Sequence, residues 1–124
     1  MQIVRTPGQS AMLPGAVRAG AILYTSGIVA PSAFAAIRTG AKIPAEQQIG
    51  EALEFLVQTL RGAGAEPKNV LKVEAFLSSA DLMTEWNSRY LEVWPMPGPA
   101  RTTLIASFTS PVIHFEVQAI AAVD

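Results

Sequence analysis

The sequence predicts an α+β domain, in which a mixed six-stranded sheet carries two helices on one face. Short runs with the period-two alternation of strands open and close the chain, and two longer segments repeat apolar residues at helical spacing. Proline and glycine residues separate these segments, so the predicted order is β-β-β-α-β-α-β-β. Strand–helix–strand passages favour parallel pairing and hairpins favour antiparallel pairing, and the sheet is therefore expected to be mixed.

Alternation of apolar and polar residues predicts the strands. In the segment 70–77, Leu71, Val73, Ala75 and Leu77 are expected on one face and the charged residues on the other. Only a tight connection separates the second strand from the third, which predicts a hairpin. The predicted strands are residues 3–5, 16–19, 22–26, 70–77, about 101–107 and about 113–122.

Two segments have the 3.6-residue spacing of amphipathic helices. In the first, from residue 45 to about 61, apolar residues recur at +4, +3 and +4. The second stripe runs from Leu82 to Val93, and Ser78, Ser79 or Asp81 can cap it. Residues 29–44 contain two prolines and a glycine and are predicted to form a long irregular connection.

Composition favours a single domain that associates with copies of itself. The 124 residues are enough for one core, and residues 1–124 are treated as one domain. Half of the residues are hydrophobic and only 15% are charged, so some apolar surface is expected to be buried between subunits. The sheet face without helices is the expected place for that contact.

Charge and cysteine content argue against several classes of function. The net charge is −1 and the nine Lys and Arg residues form no basic run, which disfavours a nucleic-acid binder. Without cysteine, and with a single histidine that has no acidic cluster near it, neither a metal site nor another cofactor site is expected. No signal peptide or membrane span is recognisable, and a cytoplasmic location is expected.

An arginine and a carboxylate on the last two strands form the candidate site. Arg101 follows a rigid Pro/Gly segment, and its planar guanidinium suits a substrate carboxylate. Glu116 lies in the last strand, where a half-buried carboxylate could orient or deprotonate a water molecule. Parity places Glu116 on the face without helices, and if Arg101 shares that face the site lies near the subunit boundary. Each residue alone also fits an ordinary solvated strand position.

Seven short segments follow one another along nearly the whole chain. They are Ala16-Val17-Arg18-Ala19-Gly20, Thr25-Ser26-Gly27, Gly62-Ala63-Gly64, Val70-Leu71-Lys72-Val73, Asn87-Ser88-Arg89-Tyr90, Pro99-Ala100-Arg101 and Glu116-Val117-Gln118-Ala119-Ile120-Ala121. Together they make the chain resemble the Rid (YjgF/RidA) family of enamine/imine deaminases. The resemblance implies a chorismate-mutase-like fold and a homotrimer with sites in clefts between subunits, and it implies no metal or organic cofactor.

The same resemblance implies a reaction and roles for named residues. Reactive enamine or imine carboxylates of the 2-aminoacrylate or 2-iminopropionate type would be hydrolysed to 2-oxo acids and ammonia. Arg101 would bind the substrate carboxylate, and Glu116 would position the hydrolytic water. The other residues expected to line the site are Ser26, Gly27, Asn87 and Thr103.

Departures from the family pattern leave other functions open. Leu13 stands where active deaminases of the family usually have a tyrosine, Ile28 replaces a frequent glutamine and Thr103 a frequent cysteine. The pocket is therefore expected to be more apolar. The alternatives are a trimeric protein that binds a small carboxylate without turnover and an aminomuconate-type deaminase of aromatic catabolism. Endoribonuclease activity, attached to some family members, is disfavoured by the acidic charge balance.

Overall fold

A single mixed sheet forms the centre of the computed structural model, which describes residues 1–124. Its strands are β1 (Ile3–Arg5), β2 (Ala16–Ala19), β3 (Ile22–Thr25), β4 (Val70–Leu77), β5 (Ala100–Ile105) and β6 (Phe115–Ala122). They lie in the order β1-β2-β3-β6-β4-β5. Only β4 and β5 pair in parallel, so the predicted mixed six-stranded sheet is confirmed.

Three helices accompany the sheet, so the prediction of two was wrong. They are α1 (Pro31–Ala36), α2 (Ala45–Gly62) and α3 (Met83–Val93). α1 lies in the stretch predicted to be irregular, and its six residues are too few to show a helical repeat. Its first turn is held by a distant residue, since the Ser32 N–H and hydroxyl donate to the Glu51 carboxylate of α2 at 3.2 and 2.9 Å. None of the helices is both long and apolar enough to cross a membrane.

The main core lies between the sheet and the pair α2 and α3. β6 shows the pattern most clearly, because Phe115, Val117, Ala119 and Ala121 are buried while the residues between them are half-buried on the opposite face. α2 and α3 do not cover that opposite face, and α1 lies at its edge. The sequence placed Leu71 among the inward residues of β4, which is wrong: pairing with β6 shifts between Val70 and Lys72, and Leu71 is half exposed.

A second apolar cluster lies between α1 and the loop that joins β5 to β6. The predicted strands extended too far into this loop, which spans residues 106–114. The buried Gln48 of α2 fixes the loop, because its amide donates to the carbonyls of Ile43 and Val112 at 3.0 and 2.8 Å. Its carbonyl accepts from the His114 N–H at 2.9 Å. Both polar atoms of the Gln48 side chain are thus hydrogen-bonded, and these bonds fix the backbone next to the start of β6.

Candidate active site

Glu116 projects from β6 into a cavity of about 430 Å³ on the face of the sheet opposite α2 and α3. The cavity is lined mainly by apolar side chains, and Glu116 is its only charged group. Its lining residues include Leu13, Gly27, Val29, Phe34, Phe76 and Phe108. A carboxylate in such surroundings can act on a water molecule or on a bound polar group.

Burial changes the acidity of this carboxyl group. Loss of hydration raises the pKa of Glu116 above its ordinary value, and no neighbouring cation opposes the change. A carboxylate with a raised pKa is a stronger base once it is ionised. Glu116 is therefore suited to accept a proton from a bound water molecule.

Gly27 makes room for the Glu116 carboxylate. A Cβ atom built at Gly27 would overlap the carboxylate oxygen Oε2 and would lie 2.9 Å from Cδ, closer than real contacts. The family resemblance implied that Gly27 lines the substrate site. The close neighbour within the chain is the side chain of the proposed catalytic glutamate, which only glycine can accommodate in this position.

Leu13 and Ser26 lie close to this cavity but contribute differently. Leu13 lines it with an apolar side chain. Ser26 does not line it, and instead faces a much smaller crevice that also touches Leu13 and Gly27. The backbone N–H of Ser26 donates to the Gly15 carbonyl at 3.2 Å. Ser26 thus helps to hold the strand beside the cavity.

Arg101 points to the other face of the sheet, so the condition under which Arg101 and Glu116 would form one site within a single chain is not met. In β5 and β4, Arg101 pairs with Val73, which in turn pairs with Ala119. Val73 and Ala119 are buried under the helices, and directly paired residues project to the same side. Glu116 pairs with Phe76 on the opposite side. The alternation of side chains within each strand was assigned correctly. Which face of one strand matches which face of the other depended on the pairing register.

Residues of α3 hold the Arg101 guanidinium in place. Its Nη2 donates to the Asn87 side-chain carbonyl at 2.8 Å. The guanidinium carbon lies 4.8 Å from the centre of the Tyr90 ring and 5.6 Å from that of Trp86, which are cation–π distances. Arg101 is nevertheless exposed at the edge strand. The structure therefore presents an oriented cation to the outside.

Thr103 follows Arg101 on the same face and has a structural partner. Its hydroxyl oxygen accepts from the Trp86 indole N–H at 3.0 Å. This contact fixes the Trp86 ring beneath Arg101. The predicted residues therefore form two separate groups: Arg101, Asn87 and Thr103 at the edge strand, and Glu116, Gly27 and Leu13 around the cavity.

Some residues around the cavity were not identified from sequence. Phe34 belongs to α1, Ile37 directly follows α1, and Phe108 belongs to the loop between β5 and β6. No local motif brings these segments together. His114 also has a partner that sequence did not indicate, since its Nδ1 lies 2.9 Å from the Ser78 hydroxyl. No cluster of three or more His, Cys, Asp or Glu side chains could hold a metal ion.

Comparisons with known proteins agree with the fold. The family model described as Endoribonuclease L-PSP matches residues 5–123. Protein mmf2, mitochondrial, from Schizosaccharomyces pombe is 33% identical over 112 residues, which cover 86% of this chain and 84% of that protein. A solved member of the YjgF protein family from Neisseria meningitidis has a TM-score of 0.83 at 21% identity, covering 100% of this chain and 97% of that one.

Yeast Mmf1 has the same fold, with a TM-score of 0.82 at 17% identity over 99% of this chain and 100% of that chain. At such identities the two solved structures show the shared architecture. The family model spans nearly the whole chain, and the Schizosaccharomyces relative shares a third of its aligned residues. On these grounds, the chain belongs to the YjgF/RidA family, whose model carries the description Endoribonuclease L-PSP.

Proposed function

We propose that the protein hydrolyses a reactive enamine or imine carboxylate of the 2-aminoacrylate or 2-iminopropionate type to a 2-oxo acid and ammonia. One observation carries the proposal: Glu116 is the only charged side chain in a largely apolar cavity, and burial raises its pKa. A general base placed in this way typically contributes about 10²–10⁴-fold to a rate. Membership of the YjgF/RidA family supports the same reaction class.

The chemistry follows from one carboxylate that accepts and then returns a proton. Ionised Glu116 takes a proton from water while the water oxygen bonds to the carbon of the protonated imine, whose C=N π electrons move to nitrogen. The resulting amino alcohol receives the proton from Glu116 on its nitrogen. As the C–N bond breaks and ammonia leaves, the ionised carboxylate takes the hydroxyl proton while the C=O bond forms. It then passes that proton to ammonia, so one water is consumed, the carboxylate is regenerated and the products are the 2-oxo acid and ammonium.

The substrate carboxylate needs a cation that the Glu116 cavity lacks. Arg101 is the candidate, but in its own chain it lies on the opposite face of the sheet. We therefore place each active site between two copies of the chain, with Arg101 from one and Glu116 from the other, in a homotrimer. Supporting this, Leu104 and Ile105 on the edge strand and Tyr24 on the open face are large apolar residues more than half exposed.

A coupled assay tests the proposal. A dehydratase that releases 2-aminoacrylate is incubated with the protein, and the formation of ammonia and pyruvate is followed. Glu116→Gln should lower the catalysed rate by about 10²–10⁴-fold. Arg101→Ala should lower kcat/KM by roughly 10- to 150-fold, the value of a charge-assisted pair. If the wild-type protein accelerates product formation no more than these variants, the proposal is wrong.

Leu13 favours a second candidate, a protein that binds a small carboxylate without turnover. Its side chain lines the cavity in place of the family's tyrosine and offers no hydrogen bond there. Saturable binding of pyruvate that depends on Arg101, together with no acceleration in the coupled assay, would favour this candidate.

Cleavage of RNA fits less well, since the net charge is −1 and the basic residues are dispersed. We also propose that the protein is located in the cytoplasm, and cell fractionation followed by immunoblotting tests this location.

A further inference from the structure

We infer that the substrate of this site has a branched aliphatic or aromatic side chain, which is bound between α1 and the 106–109 loop. The inference rests on the proposed imine hydrolysis and specifies its substrate class. It also assigns Phe34 and Phe108, which face the cavity from these two segments, as the residues that determine specificity.

The size of the cavity is the first argument. 2-Iminopropionate occupies the space of only a few water molecules, each about 30 Å³ in the liquid. The cavity measures about 430 Å³, within the range of pockets that hold larger ligands. An imine of that size covers only a small part of the apolar wall that this chain contributes to the proposed shared site. A larger hydrocarbon side chain removes that wall from water.

The chemistry of the wall is the second argument. Val29, Phe34, Ile37, Phe108 and Ile113 supply its apolar surface. They come from α1 and the residues directly before and after it, and from the loop before β6, so they form one lining next to the second apolar cluster. A hydrocarbon side chain can contact all of these segments at once.

Few polar groups in the cavity are available to recognise a hydrophilic substrate side chain. The Gln9 amide lines the cavity, but its nitrogen donates to the Val29 carbonyl at 2.8 Å and its oxygen accepts from the Val29 N–H at 3.4 Å. The hydroxyls of Ser107 and Thr109 also line the cavity, but both residues are exposed and stay hydrated. A polar side chain that contacts the apolar wall, away from these two hydroxyls, would lose its hydrogen bonds to water without replacement, which disfavours it.

Phe34 and Phe108 can be tested separately from catalysis. Both are half-buried against the second apolar cluster, and neither contacts the proposed acid–base group through a hydrogen bond. Shortening either ring removes hydrocarbon surface from the substrate pocket. The rate for the smallest imine should then change little, while the advantage of larger imines should shrink.

Imines made in place by an L-amino-acid oxidase provide the test. With alanine, leucine and phenylalanine as precursors, hydrolysis of each imine is followed with and without the protein. Each buried methylene contributes about fourfold, so we expect kcat/KM for the leucine-derived imine to exceed that for the alanine-derived imine by more than tenfold. Phe108→Leu and Phe34→Leu should reduce this ratio several-fold. Leu91→Ala, on α3 outside the cavity, should leave the ratio unchanged.

The outcomes separate this inference from the proposed function. Equal rates, or preference for the alanine-derived imine, would overturn the apolar subsite while leaving imine hydrolysis intact. Hydrolysis of none of the imines would overturn the proposed function. Calorimetry with 4-methyl-2-oxopentanoate and pyruvate then decides the subsite by itself: tighter binding of the larger oxo acid, lost in Phe108→Leu, supports it, and equal binding overturns it.

Discussion

Arg101 and Glu116 lie on opposite faces of the same sheet, although only strand β4 separates the strands that carry them. A small substrate held by one chain could not reach both groups. The arginine is oriented from beneath by α3 and is exposed at the edge, whereas the glutamate faces an apolar cavity. The proposed reaction therefore requires that a second copy bring its edge strand to the cavity.

Mixing two inactive variants should restore activity. Arg101→Ala chains retain Glu116, and Glu116→Gln chains retain Arg101, so a site built from both can contain the two intact groups. After joint refolding at equal amounts, about a quarter of the sites should be intact, giving about a quarter of the wild-type rate in the coupled assay. The same variants refolded separately and then mixed without exchange are the control. Absence of any recovery in verified mixed oligomers would contradict a shared site.

Gly27→Ala should remove activity while the chain still folds. The added methyl group would occupy the position of the Glu116 carboxylate and force it out of its place in the cavity. We expect a loss similar to that of Glu116→Gln, about 10²-fold or more. Gly62→Ala is the matched control, since nothing lies within 4 Å of its added methyl group. A Gly27→Ala protein with wild-type kcat/KM would show that the position of Glu116 is unimportant.

The rate of hydrolysis should fall on the acid side at a higher pH than is usual for a glutamate. Burial raises the pKa of Glu116, and only its ionised form accepts a proton from water. Activity is therefore present above the raised pKa and is lost as the pH falls through it. A kcat/KM profile measures this limb. The Glu74→Gln variant, altered on the same face but outside the cavity, should have an unchanged profile.

The Tyr90 ring should matter for substrate affinity through its contact with Arg101. The guanidinium carbon lies 4.8 Å above the ring centre, and such contacts contribute about 0.5–1 kcal/mol at exposed sites. Tyr90→Leu should therefore raise KM by roughly two- to fivefold relative to Tyr90→Phe, which keeps the ring, with little change in kcat. Melting curves of the two variants account for any loss of core packing. Equal KM values would contradict a positioning role.

The Glu51 carboxylate should make the docking of α1 depend on pH. Burial tends to raise its pKa, but hydrogen bonds from Gln47 and Ser32 outweigh this, and the pKa lies below its ordinary value. Its contribution to folding stability is thus present above the unfolded pKa and is lost as the pH falls through the folded pKa.

Glu51→Gln should accordingly lower Tm at neutral pH and reduce the loss of Tm on acidification. Thermal melts across this range measure both effects. Glu54→Gln, an exposed position on the same helix, is the control and should melt like the wild type. An unchanged pH dependence in Glu51→Gln would contradict the assignment.

Local patterns in the sequence determined most of the elements. Alternation defined β2 and β4 to the residue, and the apolar repeat defined α2 to within one residue, because each pattern repeats within one continuous segment. The same patterns placed Glu116 on the sheet face without helices. The resemblance of short segments to the YjgF/RidA family was sufficient to identify the family.

Tertiary structure alone decided the arrangement of the candidate site. The first turn of the helix α1 is held by Glu51, nineteen residues beyond Ser32, and Pro31 is the one local signal of its start. Sequence parity orders side chains within β5 and within β6, but only their registers with β4 show that Arg101 and Glu116 face apart. Local patterns report the neighbours of a residue along the chain, whereas the site is made by contacts between distant segments.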